Sequence, residues 1–118
     1  MYKLPDDITN IFLKDDVVKM ICFNINQIYI HFESSIYITI DSRYILTQKG
    51  IDRPLDVYPV ISDSGLLSLL EKKVKRISIS DLRHDINIYF EDNLSIKLMG
   101  NLNYESYSIT IKDRRIII

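Results

Sequence analysis

The chain has 118 residues and a net charge of -1, with 47% hydrophobic and 26% charged residues. This length suits a single domain over 1–118, and the composition excludes a disordered chain. Residues 1–65 hold 6 Lys or Arg against 9 Asp or Glu, and residues 66–118 hold 9 against 7. The sequence has no basic stripe, so it does not predict a nucleic-acid-binding protein.

The N-terminal part is predicted to be a short helix followed by three strands. Asp6 can cap a helix whose apolar residues recur at helical spacing until about Lys14. Apolar runs, alternating with polar residues in the latter two, then predict strands over 17–23, 28–32 and 36–40. Polar residues between these segments are typical of turns.

A less regular stretch follows over 41–63. It contains Pro54 and Pro59, and the segments 44–47 and 57–61 are expected to be edge strands because proline cannot donate to a sheet ladder. The chain then returns to a regular pattern, which predicts a second short helix over 66–73 and strands over 74–79, 86–91, 94–99, 104–111 and 115–118.

The two regular segments, about 8–40 and 66–98, resemble each other. At a spacing of 57, Leu13, Val17, Met20 and Cys22 match Leu70, Val74, Ile77 and Ile79. At a spacing of 58, Ile30, Phe32, Glu33, Ile36, Ile38 and Ile40 match Ile88, Phe90, Glu91, Leu94, Ile96 and Leu98. We therefore predict an α+β fold, mainly an antiparallel β-sheet or sandwich, built from two related halves of one helix and three strands.

The period of two in these strands assigns a face to each side chain. The residues matched at a spacing of 58, except for the two glutamates, are the predicted core, and Cys22 is expected to point inward with them. Tyr29, His31, Tyr37 and Tyr89 alternate with the core positions and are expected to point outward, where tyrosine is suited to partner contacts.

No combination of residues predicts catalysis. His31 and His84 lack a partner at metal-binding spacing, no glycine-rich phosphate loop is present, and the single cysteine, Cys22, excludes an internal disulfide. Apolar stretches are shorter than the ~20 residues that span a bilayer. We therefore expect a cytoplasmic, non-enzymatic protein without cofactor, metal, nucleic acid or membrane as partner.

Three short motifs in the second half resemble a bacterial family. Residues 69–74 read Leu-Leu-Glu-Lys-Lys-Val, residues 90–94 read Phe-Glu-Asp-Asn-Leu, and residues 104–107 read Tyr-Glu-Ser-Tyr. They are similar to small two-halved proteins of unknown function with Leu-Leu-Gly-x-x-Val, Phe-x-Asp-Gly and Tyr-Glu-Ser/Ala-Trp/Tyr motifs, although Glu71 and Asn93 replace glycine here. Such small proteins resemble the immunity proteins of contact-dependent growth inhibition.

The resemblance implies a protein that neutralises a cognate toxin, expected to be a basic nuclease, by covering its active site or substrate groove. The acidic first half and the unrepeated stretch 41–63 favour that interpretation. The predicted contact residues are Asp41, Tyr44, Asp52, Asp56, Tyr58 and Asp63. The alternative is a structural module without a toxin partner that self-associates, for example by pairing its apolar C-terminal end, 114–118, with a second copy.

Overall fold

A computed structural model describes residues 3–8, 15–58, 65–101, 105–111 and 114–118. Within these residues the chain forms a sandwich of two five-stranded antiparallel sheets, which confirms the predicted β-rich class. The strands are β1 (Val18–Phe23), β2 (Ile28–Phe32), β3 (Tyr37–Ile40), β4 (Tyr44–Gln48), β5 (Ile51–Leu55), β6 (Val74–Ile79), β7 (Ile86–Phe90), β8 (Leu94–Leu98), β9 (Tyr107–Ile111) and β10 (Arg114–Ile117).

Each sheet contains strands from both halves of the chain. The order is β1-β2-β3-β9-β10 in the first sheet and β5-β4-β8-β7-β6 in the second. The hairpin β4–β5 therefore does not extend the sheet of β3, which precedes it, but pairs with β8. The hairpin β9–β10 pairs with β3 in return. The last hairpin of each half, β4–β5 in the first and β9–β10 in the second, thus belongs to the sheet that contains the other half's first three strands, an arrangement we call the hairpin exchange.

The core lies between the sheets and has the predicted inward set. Every predicted core residue of β2, β3, β7 and β8 is at most 8% exposed, and Ile30, Ile38, Ile88 and Ile96 are completely buried. Cross-strand partners share a face of the sheet, so Ile30 opposite Ile38 and Ile88 opposite Ile96 form matching inward pairs. The alignment at a spacing of 58 agrees with this register.

The alignment of the first strands is wrong by one residue. Val18 pairs with Phe32 and Val74 with Phe90, which sets the spacing of β1 and β6 at 56 rather than 57. Both strands contain a β-bulge directly after this valine. Because a shift of one residue reverses the face of each side chain, Cys22 lies opposite the outward Tyr29 and is not part of the core.

The sheets are joined where β1 and β6 begin. Val17 and Lys73 form an isolated antiparallel bridge. Equivalent backbone hydrogen bonds flank it, from the amide of Asp15 to the carbonyl of Val74 (2.9 Å) and from the amide of Glu71 to the carbonyl of Val18 (2.8 Å). Asp15 and Glu71 both have positive φ, 73° and 65°. The two halves are thus related by an approximate two-fold axis through the bridge.

The structure does not confirm the two predicted helices. Of the second, only Leu66–Leu69 is helical, as a 3₁₀ helix after Gly65 in the left-handed conformation. The chain cannot continue as a helix because Glu71 turns it toward the bridge. The first predicted helix lies mostly at 9–14, outside the described residues; in its first turn the amide of Ile8 donates to the carbonyl of Pro5 (3.2 Å).

The stretch 41–63 is more regular than predicted. Residues 44–48 form β4, an interior strand between β5 and β8 and not an edge strand. The edge strand is β5, and it contains Pro54, which is tolerated there because an edge strand needs fewer amide donors. The predicted strand at 57–61 is absent at 57–58, and 59–61 lie outside the described residues.

Tyr107 yields a testable prediction about stability. Its hydroxyl donates to the carbonyl of His84 (2.8 Å), and burial together with the negative charge of Asp85 raises the pKa of Tyr107. We expect Tyr107→Phe to lower the free energy of unfolding by about 1–2 kcal/mol, since the His84 carbonyl loses its donor. Urea denaturation at pH 7 measures this loss.

The same prediction has a pH dependence. A tyrosine whose pKa is raised by folding contributes its full stability below its unfolded pKa of about 10 and loses it as pH rises further. The difference in unfolding free energy between the native chain and the Phe variant should therefore narrow above pH 10. A difference that stayed constant up to pH 11 would contradict the assigned cause.

Candidate binding surfaces

Three of the acidic residues predicted to contact a partner are described in the structure. They lie at different ends of strands and each has a different partner. Asp41 follows β3, and its carboxylate accepts a hydrogen bond from the Gln27 side chain (2.6 Å). Asp52 lies near the tip of the β4–β5 hairpin and accepts from the threonine hydroxyl opposite it (2.7 Å). Asp56 follows β5, 3.7 Å from the guanidinium of Arg43. These carboxylates do not form one acidic patch.

The predicted tyrosine contacts differ in exposure. Tyr58 is 61% exposed, whereas Tyr44 is only 1% exposed and belongs to the core. Tyr44 lies opposite Leu98 and Leu55 on the inward face of β4, so it offers no surface to a partner, and we drop it from the proposed contacts. Asp63 lies outside the described residues.

The outward tyrosines of the first sheet form a compact surface with a histidine. The ring of His31 stacks on Tyr37 across the β2–β3 pair, at a centroid distance of 5.1 Å, and on Tyr29 at 6.5 Å. Met20, 48% exposed, lies opposite His31 on β1. We call Tyr29, His31 and Tyr37 the aromatic cluster. Each of its rings is half-buried, so the rings are held in place but remain accessible.

A hydrogen-bond network joins this cluster to Asp41. The hydroxyl of Tyr29 donates to the side-chain carbonyl of Gln27 (2.6 Å). The side-chain amide of Gln27 donates in turn to Asp41. Gln27 thus fixes both the tyrosine ring and the carboxylate, and one predicted acidic contact is brought beside an aromatic surface. Asp41 keeps further acceptor positions for a cation.

The corresponding face of the second sheet carries a groove of about 490 Å³. The guanidinium of Arg76 lies 3.7 Å above the ring centroid of Tyr89, a cation–π contact. The groove crosses β6, β7, β8 and β4 near the turn between β7 and β8, and it is lined by Thr47, Gly50, Lys75, Arg76, Tyr89, Phe90, Asn93, Leu94 and Ser95.

The two-fold relation explains the space in the second sheet. In the second sheet Ser95 lies opposite Tyr89. The equivalent pair in the first sheet is Tyr37 opposite His31. A small hydroxyl therefore replaces a ring, and space opens at its place. Arg76 corresponds to Met20 at the bulge of the other half.

Sequence reasoning missed the groove. A strict alternation places Lys75 and Arg76 on opposite faces of a strand. The bulge after Val74 makes both residues oppose Tyr89, so they line the same surface. The sequence does show two consecutive cations, Lys75 and Arg76, where the first half has Lys19 and Met20. It does not show the bulge that brings both cations to one face.

Comparisons of the chain with protein-family models, with curated proteins and with solved structures found no match. Within the described segments, no helix has the length and apolar character to cross a membrane. The same part of the chain holds no group of three or more His, Cys, Asp or Glu side chains arranged for a metal ion.

Proposed function

We propose that this chain is an immunity protein that acts in the cytoplasm, binding a cognate basic toxin, a nuclease, and covering its active site or substrate groove. The observation that carries the proposal is the aromatic cluster of the first sheet, held beside the carboxylate of Asp41 by Gln27. The motifs of the second half support the same function indirectly, because the family of unknown function that they resemble is similar to immunity proteins.

The aromatic cluster has the properties of a binding anchor. Tyrosine offers a large contact area with only two side-chain torsions, so little conformational entropy is lost when it is buried. The stacked His31 and Tyr37 rings and the Tyr29 hydrogen bond restrict those torsions before a partner arrives. Preorganisation of this kind increases affinity because fewer side chains must be ordered on binding.

Asp41 supplies the charge complement. A carboxylate at the border of an apolar contact pairs with a lysine or arginine of a basic partner and selects against acidic proteins. Exposed Asp52 and Asp56 lie farther along the chain and contribute to long-range attraction rather than to the same contact. In this proposal the toxin's phosphate-binding cations are the groups that the immunity protein covers.

The experiment measures binding to a defined toxin. The probe is the purified product of the reading frame upstream of this gene, which the proposal expects to encode the toxin. We expect Tyr29→Ala and Tyr37→Ala each to weaken its affinity about 30-fold or more, because centrally buried tyrosines contribute about 2 kcal/mol or more. Co-expression with the toxin should restore growth for the native chain and not for the double variant.

The matched control is Leu82→Ala, which removes an apolar side chain that is 69% exposed in the turn between β6 and β7. It should leave affinity unchanged. The proposal is abandoned if the native chain does not bind the neighbouring product at physiological salt, or if folded Tyr29 and Tyr37 variants bind it as tightly as the native chain.

Self-association remains the second candidate, but its proposed contact is weakened. Ile116 and Ile118 of the apolar C-terminal end are 8% and 1% exposed in the chain's own core, and only Ile117 is half-buried. Among the described strands β10 lies at an edge and carries exposed Arg115 beside Arg114, which is paired with Asp7 (2.9 Å), and the charge of Arg115 opposes pairing of two such edges. A dimer in solution that Ile117→Lys converts to a monomer would favour this candidate over toxin binding.

A further inference from the structure

The groove on the second sheet contains two cations without a neutralising carboxylate in its lining. Lys75 and Arg76 both line it, and none of its described lining residues is acidic. Two acids of the adjacent β7–β8 turn lie outside this lining: Asp92 accepts a hydrogen bond from Lys72 (2.6 Å) and its charge also interacts with Lys75, and Glu91 accepts a hydrogen bond from the amide of Lys73 (3.2 Å). No ion pair of Lys75 or Arg76 is among the described contacts, so their N–H groups are available to a ligand.

Comparison with the other half shows that this charge is not a requirement of the fold. At the equivalent bulge of β1, Lys19 is neutralised by an ion pair with Glu71 (3.1 Å), and the next residue is the uncharged Met20. The first sheet therefore builds the same bulge without an unpaired cation. The second sheet replaces methionine by Arg76 and has no ion pair at Lys75 among the described contacts.

Arg76 is oriented for recognition of an anion. Its guanidinium carbon lies 3.7 Å above the ring centroid of Tyr89, and this cation–π contact restrains the side chain without using its N–H donors in a hydrogen bond. A guanidinium presents these donors in a fork that matches the two oxygens of a carboxylate. The adjacent Lys75 adds a second charge, and the hydroxyl of Ser95 lies in the same lining.

The dimensions of the groove favour a polypeptide over a small acid. It crosses four neighbouring strands, β6, β7, β8 and β4, and three spacings between strands amount to about 14 Å. An extended chain of about four residues has that length. The half-buried Tyr89 adds aromatic lining beside the charges, which suits a peptide whose acidic residue lies next to an apolar one.

We propose that this groove is a binding site for an extended acidic segment of a partner protein, with one glutamate or aspartate side chain bound by Arg76 and Lys75. The site is independent of the proposed toxin contact, because the aromatic cluster lies on the other sheet. Failure of one binding experiment therefore does not decide the other.

The test uses the full chain and a defined probe, the peptide acetyl-Ala-Leu-Glu-Tyr-Ala-amide, at low salt. Nuclear magnetic resonance follows the Nε–H signal of Arg76 and the amides of Thr47, Gly50 and Ser95 during titration. We expect saturable shifts confined to these groups. Replacement of glutamate by glutamine in the peptide should weaken binding at least tenfold, since it removes the charge that Arg76 recognises.

Two variants introduce the residue found at the equivalent position of the first half, where a similar backbone carries that side chain. Ser95→Tyr fills the groove as Tyr37 does and should abolish binding. Arg76→Met reproduces Met20 and should weaken binding at least tenfold. Arg115→Met is the matched control, because it removes an exposed cation from β10 of the other sheet; it should leave binding unchanged.

Three results would overturn the assignment. The first is the absence of shifts at Arg76 and the groove amides with the glutamate peptide. The second is that the native chain binds the glutamine peptide as tightly as the glutamate peptide, or that the folded Arg76→Met variant binds the glutamate peptide as tightly as the native chain does. This second result can be measured even if Ser95→Tyr fails to fold. The third is an equally strong response to inorganic phosphate or acetate alone, which would assign the groove to a free anion.

Discussion

Deletion of residues 107–118 is expected to unfold the whole chain, including β1, β2 and β3 of the first half. The deletion removes β9 and β10, two of the five strands of the first sheet. It also removes Tyr107, Ile109, Ile116 and Ile118, each at most 8% exposed. At about 1.5–3 kcal/mol for each buried side chain, the loss is about 6–12 kcal/mol, comparable with the total stability of a small domain.

Far-ultraviolet circular dichroism and amide spectra measure this outcome. The truncated chain should show the narrow amide dispersion of an unfolded protein throughout residues 18–40. Ile117→Ala in the full chain is the control, because this outward, half-buried side chain should cost less than about 1 kcal/mol. Native amide positions for β2 and β3 in the truncated chain would show that the exchanged hairpin is dispensable.

Tyr44→Ala is expected to lower the free energy of unfolding by about 3–5 kcal/mol, as is usual for removal of a large buried ring. Tyr44 is 1% exposed and lies between β5 and β8. The fraction of the variant that remains folded should bind a partner normally. This separates a residue that stabilises the fold from one that contacts a partner.

Tyr58→Ala is the matched control, because Tyr58 is 61% exposed. Its removal should change the unfolding free energy by less than about 0.5 kcal/mol. Urea denaturation of both variants makes the comparison. A Tyr44 variant with near-native stability and reduced partner affinity would reverse our assignment and return Tyr44 to the contact surface.

Period-two alternation predicted the faces of β2, β3, β7 and β8 because these strands are regular and their core is made of isoleucine, leucine and phenylalanine. It failed at β1 and β6. A bulge adds one residue to the strand and reverses the face of all residues after it. Cys22 was therefore placed inward, although no residue in either strand marks the bulge.

The exchange of hairpins could not be predicted from the sequence either. Leu46 of β4 lies opposite Ile96 of β8. Pairing with β3 would bury it equally well, because the inward residues of the two halves are chemically alike. Long-range pairing is decided by the packing of the complete molecule rather than by local pattern. For the same reason the aromatic residues of 41–63 were interpreted as partner contacts, whereas Tyr44 is used inside the sandwich.

The candidate sites were predicted only in part. The outward direction of Tyr29 and Tyr37 follows from alternation, and Asp41 was selected from the acidic character of the first half. Their connection through Gln27 depends on turn geometry that the sequence does not specify. The groove depends on the absence of a ring at Ser95, which the sequence alignment at a spacing of 58 already matches with Tyr37, and on the bulge of β6, which the sequence does not mark.

The hairpin exchange also constrains how the chain can fold during synthesis. Residues 37–40 of β3 pair with residues 107–110 of β9, so the first sheet cannot be completed until residues 107–110 have left the ribosome. Until then the edge of β3 stays open, and pairings of such long sequence separation form slowly. The nascent chain therefore exposes the isoleucine-containing edge of β3 while residues 41–106 are being synthesised.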